Sequence, residues 1–337
     1  MGVDNVNKTK LCIFEKRRSN HHVMFYINGQ QIQIVDSFTY LGIKFNHLGT
    51  FTDAVKCLHD QALIAYSNLL YLFDRIEFDI KTKLALFDSM VVPILLYGAE
   101  VCGVCNIKEV DKLHLRFCKY ILGVKKQTPN AAVYGELGRF PLSTLCKERA
   151  INFWYKIMTN TQSPIYEAYV DQCNNVISTC WAKRINSIIG HLQFANIRIN
   201  FDYTFNYVPT LKRRLKDQFI QEWGETINSM PKLVTYCKFK NTFCFEEYLN
   251  KLHNNDLRQL LARFRLSSHN LEIETGRYNR IDRDSRYCKL CNQNRVENEY
   301  HFLLCCPKYI GIRRKYLGSN QWPTVNKINN LMSMTNK

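Results

Sequence analysis

No glycine-rich phosphate loop, no local Ser-His-Asp motif and no pair of adjacent aspartates occurs anywhere in the 337 residues. The short signatures of nucleotide-phosphate binding, acyl transfer and two-metal phosphoryl transfer are therefore missing. Asp282-x-Asp284 is the nearest approach to a metal-binding carboxylate pair, but it sits among arginines and reads as a set of local counter-charges. The opening residues, MGVDNVNKTK, hold no apolar signal-peptide core. The longest apolar run, 90–104, contains Pro93 and Glu100 and is shorter than a membrane span requires. Internal repeats and low-complexity linkers are lacking as well. These absences predict an intracellular chain, nuclear or cytoplasmic, whose 14 cysteines are reduced rather than locked in a disulfide scaffold.

What the chain has in excess is positive charge. Lysine and arginine exceed aspartate and glutamate by 46 − 29 = 17, in a sequence that is also 46% hydrophobic. That combination points to a folded protein with a polyanionic partner, nucleic acid before all others. An anionic membrane would also satisfy the charge, but no basic amphipathic segment or lipidation motif supports one.

The hydrophobic pattern predicts an α+β, mostly α-helical chain. Residues 9–14 and 23–27 read as strands, Asn28-Gly29 is a type I′ hairpin signal before a strand with Ile32 and Ile34 on one face, and 38–45 reads as a further strand. From Thr50 the period becomes helical. Val55, Leu58, Ala62, Leu69, Phe73 and Ile76 form one stripe, with Thr50 and Asp53 as a capping box at its start. A second helix runs from an Asp79 cap through Ile80, Leu84, Phe87 and Val91 to Pro93; a third carries Val110, Leu113, Phe117 and Ile121 and stops at Gly123. Residues 125–138 look like a loop, and Pro141 opens a helical region reaching about residue 265, with breaks near 206–210 and 229–232.

Chemistry concentrates near the C-terminus. Cys288, Cys291, His301 and Cys306 form C-x2-C-x9-H-x4-C, three thiolates and an imidazole, which is the donor set of a closed structural zinc site. Cys305 is a rival fourth ligand, since on an α-helix His301 and Cys305 are an i, i+4 pair. A cysteine-rich helix edge without metal is the alternative. Cys102, Cys105, His114 and Cys118 have similar spacing, but His114 and Cys118 fall at the edge of a helix stripe already defined by apolar residues, so a core or boundary role is expected there. Ahead of the preferred site, Arg277, Arg280, Arg283 and Arg286 recur every third residue with Tyr278 and Tyr287 beside them. Guanidinium forks for phosphates and rings for bases make this arm a nucleic-acid contact or, failing that, a solvated face. Lys212, Arg213, Arg214 and Lys216 form a second, less specific patch.

Several of these stretches together resemble the C-terminal part of a non-LTR (LINE-type) retrotransposon reverse transcriptase. Asn5-Val6-Asn7-Lys8-Thr9 is similar to the N-x-x-K-T segment after that family's catalytic aspartates, and Phe38-Thr39-Tyr40-Leu41-Gly42 to the F-x-Y-L-G that ends its palm. Pro93 to Glu100 (PILLYGAE) resembles the thumb signature P-x-L-L-Y-G-x-E. Leu122-Gly123-Val124-Lys125, Thr128-Pro129-Asn130 and Tyr134 to Gly138 are also familiar from it. Glu299 to Tyr309 resembles the zinc-binding pattern E-x-H-F-L-x-x-C-P-x-Y, which carries over Cys306 rather than Cys305 as the fourth ligand. Many relatives have Trp where this chain has Cys102.

The resemblance implies palm-remnant strands over 1–48, a helical thumb over 49–125, a helical connector over 126–270 and a basic arm with a zinc-binding module over 271–337. It implies binding of template RNA and target DNA, a structural zinc ion, and Lys8 close to the nucleotide. The family's metal-binding carboxylates, with Mg only in the full-length polymerase, correspond to a point before Asn5. The chain by itself is therefore expected neither to act on a small molecule nor to copy a template. A domesticated, non-catalytic nucleic-acid-binding or scaffolding protein is the alternative expectation.

Overall fold

A computed structural model of the chain describes residues 9–14, 24–104, 107–174, 180–197, 199–317 and 332. Helices dominate the described residues, and the strands are short and confined to the first 46. No helix among the described residues is long and apolar enough to cross a membrane. By contact density the chain divides into two compact units that interleave in sequence, one of 1–77, 84–113 and 142–215, the other of 78–83, 114–141 and 216–337.

The first unit begins with three two-stranded ladders. Tyr26–Ile27 pairs antiparallel with Gln30–Gln31 across Asn28 and Gly29, both at positive φ (48° and 77°), as a type I′ turn requires. Lys10–Leu11 runs parallel to Gln33–Ile34. Of that strand's apolar pair Ile32 is buried, whereas Ile34 is exposed. The expected single strand over 38–45 is instead a second hairpin, Ser37–Tyr40 against Ile43–Asn46. Its turn is Leu41-Gly42, at φ 48° and 80°, and the Tyr97 hydroxyl donates to the Leu41 carbonyl at 2.7 Å. A leucine at positive φ is not a residue that sequence patterns mark as a turn.

Helix Thr52–Arg75 then buries Val55, Leu58, Ala62, Leu69 and Phe73 along the expected stripe, while Ile76 lies beyond its end and is exposed. The anticipated capping box does not form. Asn46 instead joins the two residues, its amide donating to Thr50 Oγ1 at 2.9 Å and to Asp53 Oδ2 at 3.3 Å, so the helix begins two residues later than Thr50. Asp79 does cap helix Ile80–Met90, accepting from the Thr82 amide at 3.0 Å. A bond from the Thr82 hydroxyl, with that amide bond, holds the Asp79 carboxyl below its usual range. The main core of this unit gathers around Trp154 on helix Leu142–Met158, with Ile151, Ile185, Ile189 and Leu211 fully buried beside it. Trp154 Nε1 donates to the Tyr169 hydroxyl at 3.1 Å, which donates to Asn186 Oδ1 at 2.7 Å, so the indole satisfies its polar atom inside an apolar cluster.

In the second unit, residues 130–137 form a helix, Asn130–Leu137, where a loop was expected. All six residues from Ala132 to Leu137 are buried, so the segment shows no amphipathic period to read. Gly135 permits this burial. A Cβ there would stand 2.7 Å from the Trp223 ring, whose Nε1 donates to the Ala131 carbonyl at 2.9 Å. One residue further, Glu136 is fully buried against Arg265 of helix Asn255–Arg265, whose guanidinium also donates to Glu246 Oε2 at 2.7 Å and lies over the Phe239 and Tyr248 rings. Lys240 pairs with Glu246 in turn. Two cations and two carboxylates thus form one buried, charge-balanced network.

Candidate metal centre

The C-terminal segment of the second unit is built as a knuckle followed by a widened helical turn. Tyr287 and Val296 pair across an antiparallel bridge, with the Cys288 amide donating to the Arg295 carbonyl and the Glu297 amide to the Arg286 carbonyl, each at 2.9 Å. Cys288 and Cys291 lie in the loop of this hairpin. The Glu297 carbonyl and carboxylate accept from the amides of Ile273 and Glu272, which ties the knuckle to helix Glu272–Tyr278.

Beyond it, Asn298 Oδ1 accepts from the His301 amide at 2.8 Å and starts a single π turn, His301–Cys305, closed by the Cys306 amide on the His301 carbonyl at 2.7 Å. This i, i+5 bond decides which cysteine faces the histidine. On an α-helix the partner of His301 is residue 305; the extra residue in a π turn moves it to 306. Cys306 is fully buried, and Cys305 packs instead against the cluster of Leu304 and Met332. Arg313, on helix Ile310–Leu317, donates to the carbonyls of Phe302, Leu303 and Cys306 and so fastens the turn.

Cys288, Cys291, His301 and Cys306 are all buried, and one donor atom from each lies within 4.8 Å of the others. Cys288 Sγ is 4.0 Å from Cys306 Sγ, and Cys291 Sγ is 3.4 Å from His301 Nε2. A tetrahedron with metal–sulfur bonds of about 2.3 Å and metal–nitrogen bonds of about 2.0–2.1 Å has edges of about 3.8 and about 3.6 Å. These two edges are close to those of a four-coordinate ion, and four protein donors leave no position for water. Among the described residues this is the one such group of His, Cys, Asp and Glu side chains.

Burial governs the protonation of these donors. Burial pushes the Cys288 thiol up to about 12, and contacts with Cys291 and the Glu297 carboxylate add to the rise. Burial also lowers His301, favouring the neutral imidazole that ligation requires. With Nε2 facing Cys291, the ring proton belongs on Nδ1, which is buried without a hydrogen-bond partner.

Three of the four arginines of the expected arm are on the surface and the fourth is half-buried. Arg277, Arg280 and Arg283 are exposed, with Tyr278 and Tyr287 also exposed beside them. Arg277 makes an ion pair with Glu274 at 3.1 Å. Arg286 is turned inward, donating to the Ile273 carbonyl at 2.7 Å and the Ile281 carbonyl at 3.0 Å, with its stem against Gly276. Asp282 caps the turn Arg283–Ser285, accepting from the Asp284 amide at 3.4 Å.

On helix Val208–Ser229, Arg213 is exposed and Lys212 half-buried. Arg214 donates to the Leu192 carbonyl at 3.0 Å and lies over the Phe194 ring, and Lys216 lies over the Phe140 ring. Lys8 lies outside the described residues, as does Cys105 of the second cysteine pattern. His114 and Cys118 of that pattern are fully buried rather than at the helix edge. Sequence reading passed over Lys232, Glu297 and Arg313, which no motif marks; only their neighbours in space reveal them.

His114 provides a pH test of the fold. Its Nε2 accepts from Arg139 at 3.2 Å, and burial, with the Arg139 charge, lowers it to about 3. A folded-state value below the unfolded 6.5 means the unfolded chain binds the extra proton first. This contribution to stability is therefore complete above pH 6.5 and is lost as pH falls toward 3, at up to about 1.4 kcal/mol per unit. Chemical denaturation across that window should show a shallower loss in His114→Asn than in the parent chain. Equal slopes would show that His114 is not held neutral.

Comparison with protein-family models, with curated proteins and with solved structures finds no match to this chain.

Proposed function

We propose that Cys288, Cys291, His301 and Cys306 hold one structural zinc ion, and that the segment it staples is a nucleic-acid-binding module belonging to the C-terminal portion of a retroelement RNA-directed DNA polymerase. The observation that carries the metal reading is the buried cluster of three thiols and an imidazole whose donor atoms all lie within 4.8 Å of one another. When bound, zinc supplies a cross-link between the knuckle and the π turn, without a coordination position for catalysis. Arg313 and Asn298 position the turn that presents His301 and Cys306, and Glu297 fixes the knuckle.

The nucleic-acid reading is supported by the net charge of +17, by exposed Arg277, Arg280 and Arg283 next to exposed tyrosines, and by the reverse-transcriptase resemblance. Guanidinium groups pair with phosphates and the rings stack on unpaired bases. Template RNA and target DNA are the partners this reading names. On duplex DNA, log K against log salt should be steep, and replacing all three arginines by alanine should flatten it by about 2.7 units, at about 0.9 per phosphate contact. Zinc content should stay unchanged. Salt-insensitive binding by the parent chain, or an unaltered slope in the triple variant, would reject the arm as contact surface.

A further inference from the structure

Next to the metal cluster, within the same unit, a cleft of about 170 Å³ opens between the turn Pro231–Leu233, the helix Glu272–Tyr278 and the turn Arg283–Ser285. It is lined by Lys232, Arg277, Arg283 and Arg286 against Glu274 and Glu299, a surplus of 4 − 2 = 2 positive charges. Both carboxylates are already engaged. Glu299 meets His269 Nε2 at 3.0 Å and accepts from the Thr235 hydroxyl at 2.9 Å. Glu274 lies between Lys232 at 3.3 Å and Arg277 at 3.1 Å. Arg286 is fixed by the two carbonyls it holds, whereas Arg283 is exposed and makes no ion pair among the described residues.

The geometry points to a binding site for a single phosphate group, a proposal that rests on the nucleic-acid reading above. The Lys232 side chain is only 8% exposed, so its charge acts at the cleft floor with little screening and little rotamer freedom left to lose. Arg283, exposed and lining the same cleft, supplies a guanidinium fork, the group suited to two phosphate oxygens at once. Arg277 can share its charge between Glu274 and the anion. The cleft is smaller than the roughly 300–1,000 Å³ of sites that enclose a drug-sized ligand, which suits an oxyanion whose remaining chain stays outside. A surplus of two charges matches a terminal phosphate, and an internal phosphodiester neutralises half of it. Lys232 lies far from the arginine arm in sequence and is placed beside it only by the fold.

The test uses the full, zinc-loaded chain and a 3′-labelled single-stranded RNA carrying either a 5′-phosphate or a 5′-hydroxyl, titrated at several salt concentrations. Arg283→Ala and Lys232→Gln should each weaken binding several-fold and flatten the salt slope by about 0.7, while Lys308→Ala, an exposed cation of the same segment, changes neither. Equal losses on the two RNAs assign the site to an internal phosphodiester; a loss confined to the 5′-phosphate RNA assigns it to the terminal group. Millimolar inorganic phosphate that weakens RNA binding by the parent but not by Arg283→Ala assigns free phosphate to the same cleft. Parent-like affinity and slope in Arg283→Ala, with zinc content unchanged, overturn the proposal while leaving the nucleic-acid reading intact. Absence of any salt-dependent binding by the parent chain overturns both.

Discussion

Chelating the metal from the purified chain should abolish hydrogen-exchange protection of the amides of Cys288, Glu297 and Cys306, and leave helix Thr52–Arg75 protected as before. The three amides are held by one antiparallel bridge and one π turn, to Arg295, Arg286 and His301, not by a long helix or an extended sheet. The apolar content around the four donors is equally small, the buried cysteines themselves with Tyr309 packed on them. Structural zinc in peptides of comparable size contributes on the order of 10–16 kcal/mol of binding free energy at neutral pH, which exceeds the stability of most whole domains. Without the ion, four buried donors lose the charge that brings them together. Helix Thr52–Arg75 belongs to the other unit and buries its own stripe, so nothing in its packing depends on the metal. Protection that survives complete metal removal would show that the knuckle folds by itself.

The second large effect is expected far from the metal in sequence. Arg265→Met should lower the stability of the second unit by about 3–5 kcal/mol, because it strips the partner from a fully buried Glu136. Burial and the Glu136 carboxylate raise Tyr236 and Tyr248 well above the usual phenol range, so both remain neutral phenols and supply no positive charge in place of the guanidinium. Converting both partners, Arg265→Met with Glu136→Gln, should recover much of the loss, since a neutral amide needs only hydrogen bonds where a carboxylate needs a counter-ion. Urea denaturation of the two variants provides the comparison. A single-variant loss below about 1 kcal/mol would place the pair in a wetter, better screened setting than its burial indicates.

Much of the helical architecture is legible in the sequence, because long helices with one apolar stripe repeat the same signal over several turns. The stripes Val55 to Phe73 and Val110 to Ile121 are of this kind. The failures have physical causes. Helix Asn130–Leu137 is buried on all sides and therefore has no period. The Leu41-Gly42 turn uses a leucine at positive φ, held by the Tyr97 hydroxyl, which is a contact 56 residues away in sequence. At the metal cluster, spacing alone leaves Cys305 and Cys306 open, since the choice depends on whether the turn is α or π. In the fold the π turn is favoured by a local bond from the Asn298 side chain and by Arg313 of the following helix. The arginine arm shows the same limit. A three-residue repeat marks four cations, and only the fold distinguishes exposed Arg283 from Arg286, which is bound to carbonyls.

Zinc stoichiometry measured by elemental analysis on the parent chain, Cys305→Ser and Cys306→Ser addresses the central claim most directly. A closed site of Cys288, Cys291, His301 and Cys306 predicts one zinc per chain in the parent and in Cys305→Ser, and loss of stoichiometric zinc in Cys306→Ser. Retention in Cys306→Ser with loss in Cys305→Ser, or no bound metal in the parent, would contradict it.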